Sequence, residues 1–202
     1  MINFFIRFRV ILIITGLVLI PIIFLFKCKS ENKKSDFISV PSLIEQQVKH
    51  VDSSLYSITK YIYNDTDTIP SDTIYIKREE FRKEAEAFLN SLDLSLQKNA
   101  KNFTQETRYD ELLKKVIISY TPIDATKQEL QSEEIMVDHS LATGDKVTTI
   151  LINNATNNKD GFSQYEMLWQ LDKSFQITET KQKPGENPKT RTYKVIWDGD
   201  IE

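Results

Sequence analysis

An uncharged apolar run at the amino terminus constrains this chain more than any other feature. Residues 10–26 read VILIITGLVLIPIIFLF, with Arg7 and Arg9 before them and Lys27 directly after. As a helix these 17 residues would extend about 26 Å, slightly less than a hydrocarbon core of ~30 Å. Basic residues followed by an apolar segment are typical of a secretory signal or a signal anchor. We therefore predict that residues 1–27 direct the chain to a membrane.

The only cysteine, Cys28, follows the apolar run directly. Its position resembles the lipid-attachment site of bacterial lipoproteins, in which the signal is removed and the new amino-terminal cysteine is acylated. Leu25 fits that pattern, whereas Phe26 is too large and Lys27 replaces the small residue that the pattern requires. The sequence leaves two alternatives: an acylated Cys28, or an uncleaved anchor that carries an incidental thiol.

The charges around the apolar run bear on which side of the membrane the body occupies. A short basic start before an apolar core favours export, which places the body in the periplasm or at the outer membrane. The four lysines within residues 27–34 favour the alternative, an inner-membrane anchor with a cytoplasmic body, because cytoplasmic flanks are usually basic. Residues 28–41 are polar and suit a short tether.

The body of the chain is acidic. The first 34 residues hold six of the 26 basic and one of the 29 acidic side chains, so residues 35–202 carry a net charge of −8. A general nucleic-acid binder needs a basic surface to displace counterions, and we exclude that class. The uneven composition also excludes a polytopic membrane protein and a wholly disordered chain. We expect residues 42–202 to form a single globular domain and to be monomeric.

Two amphipathic helices are predicted before the strands. Ser42 and Glu45 form a capping box, which indicates a helix start. Apolar side chains then recur at spacings of three and four along about five turns: Ile44, Val48, Val51, Leu55, Ile58 and Ile62. This stripe predicts a helix over residues 42–63 that packs on the protein's own sheet, with a dimeric coiled coil as the alternative. A second helix is predicted from Lys77 to Asn90.

From about residue 107 the apolar period changes to two, which indicates strands. The predicted strands are 116–120, 129–137, 146–153, 162–171, 174–180 and 190–197. Glycines lie in three of the short connections, which indicates turns between antiparallel strands: Gly144, Gly161 and Gly185. We predict an α+β fold in which two amino-terminal helices pack on an antiparallel meander of about six strands.

The sequence contains no pattern for catalysis or for binding a metal or cofactor. His50 and His139 are the only histidines, and there is no HExxH motif, cysteine pair, calcium loop or phosphate loop. Adjacent carboxylates such as Glu79/Glu80 and Glu133/Glu134 are expected on exposed faces. We predict no catalytic residue, no metal and no cofactor, and we expect a protein that is not an enzyme. A hydrolase that uses carboxylates is the remaining enzymatic alternative.

Four aromatic residues share alternating strand faces, namely Tyr165, Trp169, Tyr193 and Trp197. Such residues can line a groove for an apolar or sugar ligand, or they can form the core beneath a helix. The first interpretation makes the protein a carrier of an apolar ligand held between sheet and helices.

The body resembles a group of uncharacterised lipoproteins from Bacteroidetes-type bacteria in five segments, PSLIEQQVKHVDSSLYSITKY, REEFRKEAEAFL, VIISYTP, GDKV and MLWQLDKSFQI. The resemblance covers most of residues 40–198 and consists of packing and turn patterns. It implies an envelope location and no known activity. We therefore predict a membrane-anchored envelope domain that binds another protein or an envelope component without catalysis.

Overall fold

The structure is a computed structural model that describes residues 34–65, 67–139 and 144–197. The predicted membrane segment and Cys28 lie outside these residues. The α-helices of the described part are α1 (Val40–Asp52), α2 (Arg78–Glu84), α3 (Glu86–Leu89) and α4 (Gln97–Ala100). Its strands are β1 (Ile58–Asn64), β2 (Asp72–Ile76), β3 (Phe103–Asp110), β4 (Lys115–Pro122), β5 (Leu130–Asp138), β6 (Lys146–Asn158), β7 (Gly161–Gln170), β8 (Ser174–Gln182) and β9 (Lys189–Ile196).

All nine strands form one antiparallel sheet in the order β2-β1-β9-β8-β7-β6-β5-β4-β3. Strands β3 to β9 follow one another as a meander, and a 3₁₀ turn at Ala125–Lys127 connects β4 to β5. Strand β1 pairs with β9, with Tyr61 opposite Lys194. The β1–β2 hairpin therefore extends the sheet beyond the last strand of the chain, and β2 and β3 are the two edges.

The predicted fold of two helices on about six strands is wrong, because the first predicted helix is only half helical. The stripe is helical from Ile44 to Val51, but Leu55 is 93% exposed after the helix has ended. Ile58 and Ile62 belong to β1. A spacing of four also places two residues on one face of a strand, so the stripe could not distinguish the two structures at this point.

The rest of the prediction fails at the second helix and in the number of strands. The segment predicted as one helix is divided at Ala85 into the short helices α2 and α3. Strand β3 was not predicted because its residues 104–109 are all exposed, which removes the alternation of apolar and polar side chains. The six predicted strands overlap β4 to β9, but β1, β2 and β3 raise the number to nine.

The helices α1 to α3 pack on one face of the sheet, which we call the helix face. Their buried side chains form a single cluster with those of the strands. In β7, Met167 and Trp169 point into this cluster, and Leu168 between them points to the opposite side, which we call the outer face.

Residues 34–39 form an extended strap that fixes the start of the described chain to the helix face. The N–H of Ser35 donates to the carbonyl of Ser95 at 2.6 Å. The N–H of Ile38 donates to the hydroxyl of Tyr120 in β4 at 3.1 Å. The strap thus covers the end of the sheet at which Tyr120 lies.

Candidate functional site

Two of the four aromatic residues singled out in the sequence lie in the core. Trp169 and Trp197 are fully buried and contact the rings of Phe81, Phe88 and Phe175. The ring centroids are 5.0 Å apart for Phe88 and Trp169 and 5.1 Å apart for Phe81 and Trp197. Protein side chains therefore fill the space between α2, α3 and the sheet at this point.

The other two, Tyr165 and Tyr193, lie on the same face but are only partly buried. The hydroxyl of Tyr165 donates to Glu179 at 2.6 Å. The ring of Tyr193 lies 5.0 Å from the Lys60 ammonium and 5.1 Å from the Arg191 guanidinium. The four aromatic side chains consequently do not line one common groove.

The histidines lie apart from each other on the surface. His139 Nδ1 is 2.6 Å from Asp145 Oδ1, and both side chains are more than half exposed. His50 meets the ring of Tyr56 edge-on at a centroid distance of 6.0 Å. Within the described ranges no three His, Cys, Asp or Glu side chains are close enough to hold a metal ion.

The adjacent carboxylates do not form facing pairs. Glu79 and Glu80 are both exposed in the first turn of α2. Glu133 and Glu134 are consecutive in β5, so they point to opposite faces of the sheet. Glu133 is 1% exposed on the helix face, and Glu134 lies on the outer face.

Glu133 is an unusual residue for a protein core. It lies opposite Tyr120 in β4, and neither carboxyl oxygen has a hydrogen-bond partner among the described residues. Burial, together with the charge of Asp93, raises the pKa of Glu133 to about 8. The carboxyl is therefore mainly protonated at neutral pH, and its 1% exposure leaves it out of reach of a substrate.

The outer face carries a depression of about 400 Å³ that spans β5 to β8, which we call the outer-face depression. Its lining residues are Ser132, Glu134, Leu151, Ile152, Asn153, Glu166, Met167, Leu168, Gln176 and Thr178. Leu151 and Leu168 lie directly opposite each other on β6 and β7. Neither leucine belongs to the core cluster of the described residues, and both are partly exposed.

Two carboxylates lie beside these leucines. Glu134 is the cross-strand neighbour of Leu151, and Glu166 is two residues from Leu168 on the same face of β7. Glu134 accepts a hydrogen bond from Ser119 at 3.5 Å, and Glu166 accepts one from a glutamine side chain at 3.0 Å. Neither carboxylate forms an ion pair with a described cation.

This arrangement suits binding better than catalysis. The leucines offer apolar contact area, and the carboxylates offer acceptors for basic side chains. The depression holds no nucleophile next to a base. One feature of the sequence does indicate this site, because Leu151 and Leu168 occupy positions where the strand alternation predicts polar residues.

Comparisons with family models, with curated proteins and with solved structures find no match for this chain. Over the part of the chain that the structure describes, no helix has the length and apolarity to cross a membrane.

Proposed function

We propose that this protein is a membrane-tethered, non-catalytic domain of the cell envelope that binds another protein. The observation that carries the proposal is the outer-face depression, in which Leu151 and Leu168 lie beside Glu134 and Glu166 on the sheet face opposite the helices. The partner would present apolar side chains to the leucines and Lys or Arg to the carboxylates.

Two physical reasons support a protein partner of this chemistry. Burying the two leucines in an interface removes apolar surface from water, which is favourable at ~25 cal/mol per Å². Glu134 and Glu166 have no cation among the described residues, so basic groups of a partner would supply complementary charge. Complementary charge favours the correct partner and speeds its association.

The tether is proposed from the amino-terminal sequence. The apolar residues 10–26 or an acylated Cys28 would hold the domain at the membrane, on the extracytoplasmic side that the basic start favours. A non-catalytic role agrees with the chemistry of the described residues, in which Glu133 is buried and Glu134 points to the other face.

The carrier alternative receives less support than protein binding. A ligand beside Trp169 and Trp197 would have to displace their packed rings. A depression of about 390 Å³ does lie between the α2–α3 segment and the sheet, but Lys60, Lys83, Glu84, Glu86 and Asn90 line it, and these side chains suit an apolar ligand poorly. A carboxylate hydrolase would need paired acids in one cleft, and the neighbouring acids of β5 do not face each other.

Thiol labelling of the full chain tests both parts of the proposal. Glu79→Cys and Leu168→Cys are expressed separately and treated with a membrane-impermeant maleimide, first in intact spheroplasts and then after purification in detergent. The parent chain gives the background from Cys28. We expect Glu79→Cys to be labelled in both samples because residue 79 is exposed on the solvent side of α2. Leu168→Cys should be labelled strongly only after purification, since a partner covers it in the cell.

Two results would contradict the proposal. Protection of Glu79→Cys until lysis would place the body in the cytoplasm. Equal labelling of Leu168→Cys in spheroplasts and in purified protein would show an unoccupied outer face. The intact mass of the mature amino terminus then distinguishes an acylated Cys28 from an unprocessed chain.

A further inference from the structure

The two edges of the sheet differ in their side chains. Strand β3 carries Glu106, Arg108 and Asp110, and charges along an edge discourage pairing with another strand. Strand β2 carries no charge between Asp72 and its end. Its Ile74 and Tyr75 are 39% and 77% exposed. An exposed apolar edge of this kind is a site for adding a strand.

At the outer edge of β2 the backbone groups of Thr73 and Tyr75 have no strand partner among the described residues, although the N–H of Thr73 donates to the Asp72 side chain at 2.8 Å. The N–H of Asp65 donates to the carbonyl of Thr190 at 2.8 Å, and hydrogen-bonded pairs alternate along an antiparallel ladder. Odd-numbered residues of β1 therefore bond to β9, and even-numbered residues bond to β2. Since Lys60 opposes Ile74, the peptide groups of Thr73 and Tyr75 point away from the sheet.

We infer, contrary to the monomer expected from the sequence, that β2 pairs antiparallel with β2 of a second copy of this chain, about a two-fold axis at Ile74. In this register Thr73 of each copy opposes Tyr75 of the other. Every outward N–H and carbonyl of these two residues then has a strand partner, once the N–H of Thr73 exchanges Asp72 Oδ1 for the carbonyl of the opposing Tyr75. The two sheets then form one continuous sheet, and both copies use the same surface, as an isologous dimer requires.

Charge complementarity favours this arrangement over a parallel one. Asp72 begins the strand, and Lys77 follows its end. Antiparallel pairing brings the acidic end of each strand to the basic end of the other, whereas parallel pairing would bring like charges together. At the axis the two Ile74 side chains meet each other and lose exposed apolar surface.

A contact made by a five-residue strand is smaller than the ~1,200 Å² that stable interfaces usually bury. The dimer is therefore weak in dilute solution. Two copies held on one membrane have a higher effective concentration, which shifts the equilibrium towards the dimer. Only this increase depends on the tether of the proposed function; the pairing of the edges does not.

Disulfide formation between full-length chains in phosphatidylcholine vesicles tests the pairing. At the two-fold axis the Cα atoms of Ile74 would be about 4.5 Å apart, within the range that a disulfide spans. The matched control is Thr107→Cys in the middle of the other edge strand, and the parent chain gives the background from Cys28. We expect Ile74→Cys to form at least about ten times more disulfide dimer than Thr107→Cys under mild oxidation.

A proline variant separates strand pairing from random collision. Thr73→Pro removes the N–H that would donate to the second copy and that otherwise donates to Asp72. It leaves the pairing of β2 with β1 intact, because that N–H does not face β1. Combined with Ile74→Cys, it should lower the disulfide yield about tenfold. Ile74→Lys gives a second test that needs no disulfide. The dimer fraction that the parent chain shows in sedimentation should be lost in this variant.

The pairing is overturned by equal disulfide yields at positions 74 and 107, by a yield at position 74 that Thr73→Pro does not change, or by a dimer fraction that persists in Ile74→Lys. Failure of the tether would be a separate result. In that case the chain does not sediment with vesicles, but the disulfide yield at position 74 in solution still exceeds the yield at position 107.

Discussion

The carboxyl of Glu133 lies in an apolar interior without a hydrogen-bond partner among the described residues. Its pKa is about 8 in the folded chain and 4.5 ordinarily, so between these values the folded chain holds a proton that the unfolded chain releases. The contribution of this proton to stability is fully present below pH 4.5 and is lost as the pH rises to about 8. This shift in the pKa of Glu133 corresponds to as much as about 5 kcal/mol in the free energy of unfolding.

Replacing this residue tests the pH dependence. Glu133→Gln keeps the size of the side chain and cannot ionise, so we expect higher stability than the parent at about pH 8 and a flatter pH dependence. Urea unfolding across the range from about pH 5 to pH 9 measures the effect. The control is Glu134→Gln on the outer face, which leaves Glu133 in place and should retain the parental slope. A parental slope in Glu133→Gln would contradict the assignment.

For individual residues, the sequence predicts the face of a strand but not the packing partner or the depth of burial. The alternation in β7 correctly places Trp169 on the buried face and Gln170 on the opposite face. It cannot show that the ring of Phe88 packs against Trp169. A buried acid such as Glu133 looks like a surface residue in the sequence because its neighbour Glu134 is also acidic. The surroundings of Glu133 include Tyr120 of β4, which the strap contacts in turn, and both come from other parts of the chain.

The turn between β6 and β7 depends on one glycine. Gly161 has φ 131°, and a Cβ atom there would lie 2.2 Å from the carbonyl oxygen of Gln182. Gly144 precedes β6 with φ 79°, and a Cβ atom there meets nothing within 4 Å. The two glycines therefore differ in steric surroundings, although both have a positive φ.

Alanine substitution at the two glycines should give different losses of stability. We expect Gly161→Ala to cost about 2–4 kcal/mol, because it adds a backbone clash to an unfavourable φ, and Gly144→Ala about 1 kcal/mol. The free energy of unfolding in urea measures both. Equal losses would contradict the close approach of Gly161 to β8.

Among the elements, β4 to β9 were predictable from the sequence, whereas β1, β2 and β3 were not. Strands β6 to β9 show alternating side chains and short connections, so their sequence carries the information locally. Strand β3 has no buried face along residues 104–109. In β1, Ile58 and Ile62 continue the helical spacing of the preceding stripe, so the segment was predicted as helix. The nearby Tyr61 and Tyr63 favour a strand.

For the whole molecule, the order of the sheet was not predictable because its decisive pairing is distant in sequence. Tyr61 lies opposite Lys194, and this contact attaches the β1–β2 hairpin to the end of the meander. It also leaves β2 as an edge of the sheet, while the packing of the helices on one side distinguishes the helix face from the outer face. The position of the outer-face depression follows from that layering, which no local pattern encodes.

The central claim is that the outer face binds a protein in the cell envelope. A photo-crosslinking amino acid at position 168 of the full chain, irradiated in living cells, tests this claim most directly. We predict one discrete adduct that disappears when Glu134→Lys and Glu166→Lys reverse the charge beside the leucines, and that does not form from position 79. No adduct from position 168, the same adduct from position 79, or an adduct that survives the charge reversal would contradict the claim.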